Sequence, residues 1–204
     1  MIRLFSDKKA RQVLEEESDW IATVAERYNV PRAAIQAILF QEMTSSDALD
    51  PFADFVAWLG VFPKKDSSTG YAQIFGYVGL NAINFAVDRG LTTYEALGID
   101  VDHRLDPSNR KDVRVVWKRL HHDPHANIEI ATLNLLAAAN ETVGRTDFDT
   151  FTPEELKMVF TRYNADVKHI TAYGEKTYGY YEKFLAGDGE LPTAKTSRYN
   201  SLMK

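Results

Sequence analysis

The chain has 204 residues, 45% hydrophobic, 26% charged and 12% aromatic, which is enough for one sizeable core and far from the composition of disordered chains. The absence of cysteine excludes disulfide scaffolds, thiolate metal sites and cysteine nucleophiles. Twenty-four basic against 29 acidic residues leave a formal charge of −5 and a pI near 5.6, so no broad positive field draws nucleic acid. No apolar run approaches the roughly 18 to 20 residues that span a bilayer, so no integral membrane segment is expected.

In chain order the pattern is helix after helix. Ser18 and Asp19 offer N-cap oxygens, and Ile21, Val24, Ala25 and Tyr28 follow at helical spacing; the same stretch also reads as the second half of a helix begun near Asp7. Val30-Pro31 suits the next start, because proline at the first helical position loses no needed N–H. Ile35, Ile38 and Leu39 continue the apolar spacing, and the next position on that stripe is Glu42. From Thr44 to Gly70 the pattern is irregular, with Pro51, Gly60 and Pro63, and a short helix is expected around Phe52, Phe55, Val56 and Trp58.

Further helices are expected over Gly76–Asp88, stopping at Gly90, and from a Ser108 cap through Val113, Val116, Trp117 and Leu120. A long one is expected from Asp123-Pro124 to Gly144. Two more follow, one from the capping pattern Thr152-Pro153-Glu154-Glu155 through Tyr163 and one over Glu175–Leu185. The best site for a short extended piece is Gly70–Phe75. The fold class is therefore mainly α, with at most a short β segment. A single domain over residues 1–186 has its core at about 20–185, and a polar tail covers 187–204.

Glu42 is the most informative residue. Its spacing from Ile35, Ile38 and Leu39 puts a carboxylate where a core stripe should continue. A buried carboxylate either pairs or takes up a proton, and desolvation raises its pKa toward the value a general acid needs near neutrality. The alternative is a stripe that ends one turn early, with Glu42 solvated or paired with an arginine.

The context of Glu42 is specific. An apolar helix closes on Gln41-Glu42; Ser68-Thr69-Gly70-Tyr71-Ala72-Gln73-Ile74 follows, then Asn127-Ile128, then Tyr163-Asn164-Ala165 and a Tyr-rich end at Tyr173–Tyr181. In this order the set resembles the lysozyme-like superfamily, in particular the soluble-lytic-transglycosylase type of catalytic domain. The resemblance implies a lysozyme-like helical fold over roughly Trp20–Leu185. It also implies cleavage of the β-1,4 bond between N-acetylmuramic acid and N-acetylglucosamine in peptidoglycan. Glu42 would be the sole catalytic acid/base, giving 1,6-anhydro products.

Carried over from the family, Gln73 and the backbone near Gly70–Ile74 would form the floor of the sugar groove, with Ser68 and Tyr71 also among the substrate-binding residues. Tyr163 and Asn164 would stand beside the acid, with Tyr163 able to hold the carboxyl. Two positions depart from the family pattern: Met43, where Ser commonly follows the Glu, and Asp166, where Gly is usual after Tyr-Asn-Ala. A hydrolytic muramidase on the same fold would recruit a second carboxylate about 5 to 9.5 Å away, for which Asp47, Asp54 and Asp66 are the candidates.

The competing readings are a non-catalytic glycan-binding module on the same scaffold and a helix-turn-helix over Ile21–Leu39. The negative charge and the apolar stripe of its second helix count against the latter. His121, His122 and His125 form a local cluster that reads as solvated residues between two helices, so no metal and no cofactor is expected. Tyr71, Tyr77, Tyr173, Tyr178, Tyr180 and Tyr181 fit either sugar platforms or core packing. The expected partner is the peptidoglycan strand, bound by a monomer in the periplasm or the outer cell wall. Met1–Lys9 is too short an apolar stretch for a signal peptide, so either the signal is missing from the numbered chain or export uses another route.

Overall fold

The computed structural model describes residues 5–45 and 68–187. Among them are eight α-helices and one two-stranded sheet, a mainly α architecture. The expected short helix at 52–58, the candidate carboxylates Asp47, Asp54 and Asp66, and the tail beyond residue 187 lie outside the described residues. None of the described helices is long and apolar enough to cross a membrane.

The first stretch is two helices, α1 (Asp7–Glu16) and α2 (Ser18–Tyr28). Ser6 caps α1 by accepting from the Lys9 N–H, 3.2 Å. The break falls on Glu17, so Ser18 is the first helical residue rather than a cap. Asn29, left-handed at φ 51°, ends α2. After Pro31 comes α3 (Arg32–Ser45), buried on nearly every side from Ala33 to Thr44. Its core surface is thus the whole cylinder rather than a stripe, as expected of a central helix.

A hairpin follows: β1 (Ser68–Thr69) pairs antiparallel with β2 (Ile74–Phe75), Thr69 opposite Ile74. The extended piece expected at 70–75 is therefore split, because Gly70–Gln73 is the turn, with Gly70 at φ 74° and Gln73 at φ 44°. Next come α4 (Gly76–Asp88) and α5 (Arg110–His122). The α5 cap is Asn109, whose side chain accepts from the Lys111 N–H; Ser108 instead bonds Asp106. His121 and His122 lie inside the last turn of α5, where basic side chains suit the helix dipole.

The long helix α6 (Pro124–Val143) opens on an Asp123 cap and closes at Gly144, φ 77°. A 3₁₀ turn at Phe148–Thr150 leads to α7 (Pro153–Asn164), whose capping box joins Thr152 and Glu155. The last helix, α8 (Ala172–Leu185), starts one turn earlier than the sequence pattern indicates, because Thr171 caps it. Its start sits close on α7. A Cβ at Gly174 would overlap the Thr161 hydroxyl and lie 2.5 Å from the Lys157 carbonyl oxygen.

α3 packs against α1, α2, α6 and α8, while α6 also packs against α2, α4, α5 and α7. These two helices carry the core, in which each fully buried Leu, Ile or Phe contributes about 1.5–3 kcal/mol. Polar ties join the layers: Glu129 of α6, 5% exposed, accepts from the Tyr28 hydroxyl at 2.7 Å and pairs with Arg27. Burial, reinforced by Glu129, pushes the Tyr28 phenol up to about 12.

Candidate functional site

Three elements converge on Glu42. It stands in the last turn of α3, facing the start of α8 and the end of α7. The Tyr173 hydroxyl of α8 donates to Glu42 Oε1. Tyr163 of α7, itself buried, is pushed well above an ordinary phenol by burial and then by the Glu42 charge. Its own hydroxyl donates to the Ala72 carbonyl, 3.3 Å, so Tyr163 ties the hairpin turn to the neighbourhood of the acid. Burial pushes the Glu42 carboxyl up to about 7, with the Tyr173 hydrogen bond opposing that rise. Glu42 as a residue is only partly buried, yet its carboxyl is surrounded by enough protein to be desolvated.

The hairpin is held from beneath. Asn127, in the first turns of α6 and fully buried, donates Nδ2–H to the Thr69 and Leu120 carbonyls at 3.0 and 3.3 Å. Its Oδ1 accepts from the Ala72 N–H at 2.9 Å. Gln73 turns back on its own loop, donating Nε2–H to the Gly70 carbonyl at 2.8 Å and accepting from the Ser68 hydroxyl at 3.2 Å. Ser68, Gly70 and Gln73 therefore shape the turn by bonding one another. The hairpin's other flank is Thr69, whose hydroxyl shares a 2.8 Å hydrogen bond with His121 Nδ1.

The remaining expected residues disperse. Tyr71 is half-buried against the core; burial raises its phenol, and the charges of Glu17 and Glu16 add to this, which places it toward the α1–α2 junction. Asn164 is exposed at the end of α7. Tyr180 packs edge-on against Phe40 at 4.8 Å, and Tyr178 and Tyr181 lie against the core, so packing accounts for these three. Tyr77, 46% exposed, lies beside Phe75.

The histidine cluster splits: His121 stacks on Trp117 with His122 edge-on against it, while His125 stacks on Trp20 and pairs with Glu17. Among the described residues no three metal-ligating side chains converge. An open depression of about 440 Å³ lies elsewhere, between the Gly98 turn and α5. Arg119, on its wall, is committed to the Leu97 carbonyl and to Asp123.

Three residues noted in the sequence take positioning roles there that the sequence did not assign: Tyr173 as the partner of Glu42, Asn127 beneath the turn, and His121 at its flank. Asn127 left a signal, a carboxamide within the apolar run of α6. Tyr173 and His121 stood out only as one of several tyrosines and one of three histidines, and nothing local pointed to these roles, because their partners are 131 and 52 residues away in sequence.

The His121 tie gives a modest prediction. His121→Ala should lower stability by about 0.5–1 kcal/mol at pH 8, the value of one partly exposed hydrogen bond. Burial and then His122 hold the imidazole below its usual value. The folded state therefore binds fewer protons than the unfolded chain, and the His121 contribution is lost as pH falls below about 6.5. Urea unfolding of both proteins should show the gap narrowing on acidification; a gap that widens would contradict the assignment.

No protein-family model, curated protein or solved structure matches the chain.

Proposed function

We propose that this protein is a peptidoglycan-cleaving glycosidase that acts on the β-1,4 bond between N-acetylmuramic acid and N-acetylglucosamine, with Glu42 as its general acid and base. The observation that carries the reading is a carboxyl at the end of a central helix, desolvated until it titrates near 7 and bonded to a phenol. A carboxyl with that value is largely protonated at the pH where an ordinary glutamate has lost its proton, so it can give that proton to a glycosidic oxygen.

In the proposed reaction the protonated Glu42 donates to the bridging oxygen as the bond to the muramoyl C1 breaks. The resulting carboxylate then takes the proton of the muramoyl 6-hydroxyl as that oxygen closes on C1. Glu42 ends protonated, no water is consumed, and the product is a 1,6-anhydro sugar. This sequence needs one carboxylate, and the phenols Tyr163 and Tyr173 both sense the Glu42 charge. The order of Glu42, the Ser68–Ile74 segment, Asn127 and Tyr163-Asn164 along the chain supports the same reading. The site of action is the cell wall, outside the cytoplasmic membrane, and the working form is a monomer.

Purified protein added to sacculi should clear them and release soluble muropeptides lighter by one water than hydrolytic products. Glu42→Gln should reduce release by at least about 100-fold with an unchanged circular dichroism spectrum. Full-mass products would assign the chain to hydrolytic muramidases instead. Binding to sacculi with no release would overturn the enzyme reading in favour of a glycan-binding module.

A further inference from the structure

The family pattern gives the role of carboxyl partner to Tyr163, but the geometry gives it to a different phenol. Tyr163 directs its hydroxyl to the Ala72 carbonyl, whereas the hydroxyl that reaches Glu42 Oε1 is that of Tyr173. Tyr173 is held there by a close approach between α7 and α8. The Thr171 N–H donates to Thr161 Oγ1 at 3.1 Å, the Thr171 hydroxyl caps α8, and Gly174 leaves no room for a Cβ between the helices. Thr177 adds a 2.8 Å bond to the Tyr173 carbonyl. Phe40 of α3 is meanwhile clamped edge-on between Tyr180 and Phe184, so the helix carrying the acid and the helix carrying the phenol are locked together.

A neutral carboxyl has one oxygen that carries the proton and one that only accepts. An oxygen already accepting from a phenol is the accepting one, and the same bond strengthens when the carboxyl becomes an anion. We propose that Tyr173 is the positioning residue of Glu42: its O–H, donated to Oε1, places the acid proton on Oε2 and stabilises the carboxylate formed once that proton has left. Its catalytic meaning rests on the glycan-cleaving reading above.

The groups facing Glu42 bear on how this is tested. Tyr173 comes from α8 and Tyr163 from α7. On the other helices packed against α3, Arg11 of α1 lies over the Phe40 ring, 5.3 Å from its centroid, and Arg27 of α2 is paired with Glu129 of α6. The test is carbon-13 NMR titration of Glu42 Cδ in the full chain, in the parent protein and in the Tyr173→Phe and Tyr163→Phe variants, with muropeptide release followed against pH in parallel.

Loss of the Tyr173 donor should weaken Glu42 as an acid about tenfold and move the alkaline limb of the release profile upward, while Tyr163→Phe leaves the Glu42 titration in place. A variant that merely loosened the site would admit water and move Glu42 the other way, toward an ordinary carboxyl. An unchanged or stronger acid in Tyr173→Phe overturns the proposal. A weaker acid in a protein that releases no muropeptide supports the hydrogen-bond role and overturns the glycan-cleaving reading, whereas release without any change in Glu42 does the reverse.

Discussion

Gly70→Ala should lower stability by about 3–5 kcal/mol and free the hairpin from α6. Gly70 sits at φ 74°, where a non-glycine residue adds about 1–2 kcal/mol of backbone strain. Its new Cβ would also overlap the Asn127 carboxamide. That amide has nowhere to retreat, because it is fully buried and bonded to Thr69, Leu120 and Ala72. Moving it leaves buried polar groups unsatisfied, each at about 1–3 kcal/mol. Urea unfolding measures the loss, and hydrogen exchange at Ala72, whose N–H bonds Asn127, locates it. A variant within about 1 kcal/mol of the parent, with Ala72 still protected, would show that Asn127 does not pin the turn. Because Tyr163 holds on to the same turn through the Ala72 carbonyl, the variant should also lose the proposed glycan release.

Glu42→Gln should make the protein more stable at alkaline pH while abolishing its proposed activity. The folded carboxyl titrates near 7 against 4.5 for an ordinary glutamate. Between those values the folded chain keeps a proton that the unfolded chain has released. The parent protein is therefore destabilised progressively as pH rises through this window, with the full penalty of about 3 kcal/mol reached above about 7. A glutamine carries no charge to desolvate, and its carbonyl can still accept from Tyr173. The two proteins should differ little at pH 4.5 and diverge to about 3 kcal/mol by pH 8, with the variant ahead. Every other titrating group is common to both, so the difference isolates position 42. Parallel stability curves across that range would mean that Glu42 is solvated. A gain in stability joined to a loss of function is the usual mark of a site held under electrostatic strain.

Much of the fold was legible because its signals are local. Pro31, Asp123-Pro124 and Thr152-Pro153 with Glu155 mark helix starts through groups within four residues of one another, and Gly90 and Gly144 mark ends by their left-handed backbone. Where neighbouring groups compete for one cap, or the anchor lies on another helix, the sequence does not mark the boundary. Asn109 rather than Ser108 caps α5, because the Ser108 hydroxyl is taken by Asp106. Thr171 starts α8 a turn early, because its backbone is anchored to Thr161 on another helix. The position of Glu42 at the end of an apolar helix was legible too, although α3 is buried all round rather than along one stripe.

The sequence by itself determined a mainly helical chain with an acid set at the end of an apolar helix, since both follow from spacing within a few turns. Only the tertiary structure decided that this acid is desolvated, that Tyr173 rather than Tyr163 bonds it, and that Asn127 and His121 hold the turn beside it. Those outcomes depend on which side chains meet across 50 to 130 residues of chain. Helical spacing says which face a residue occupies, but the neighbour on that face is set by how whole helices pack.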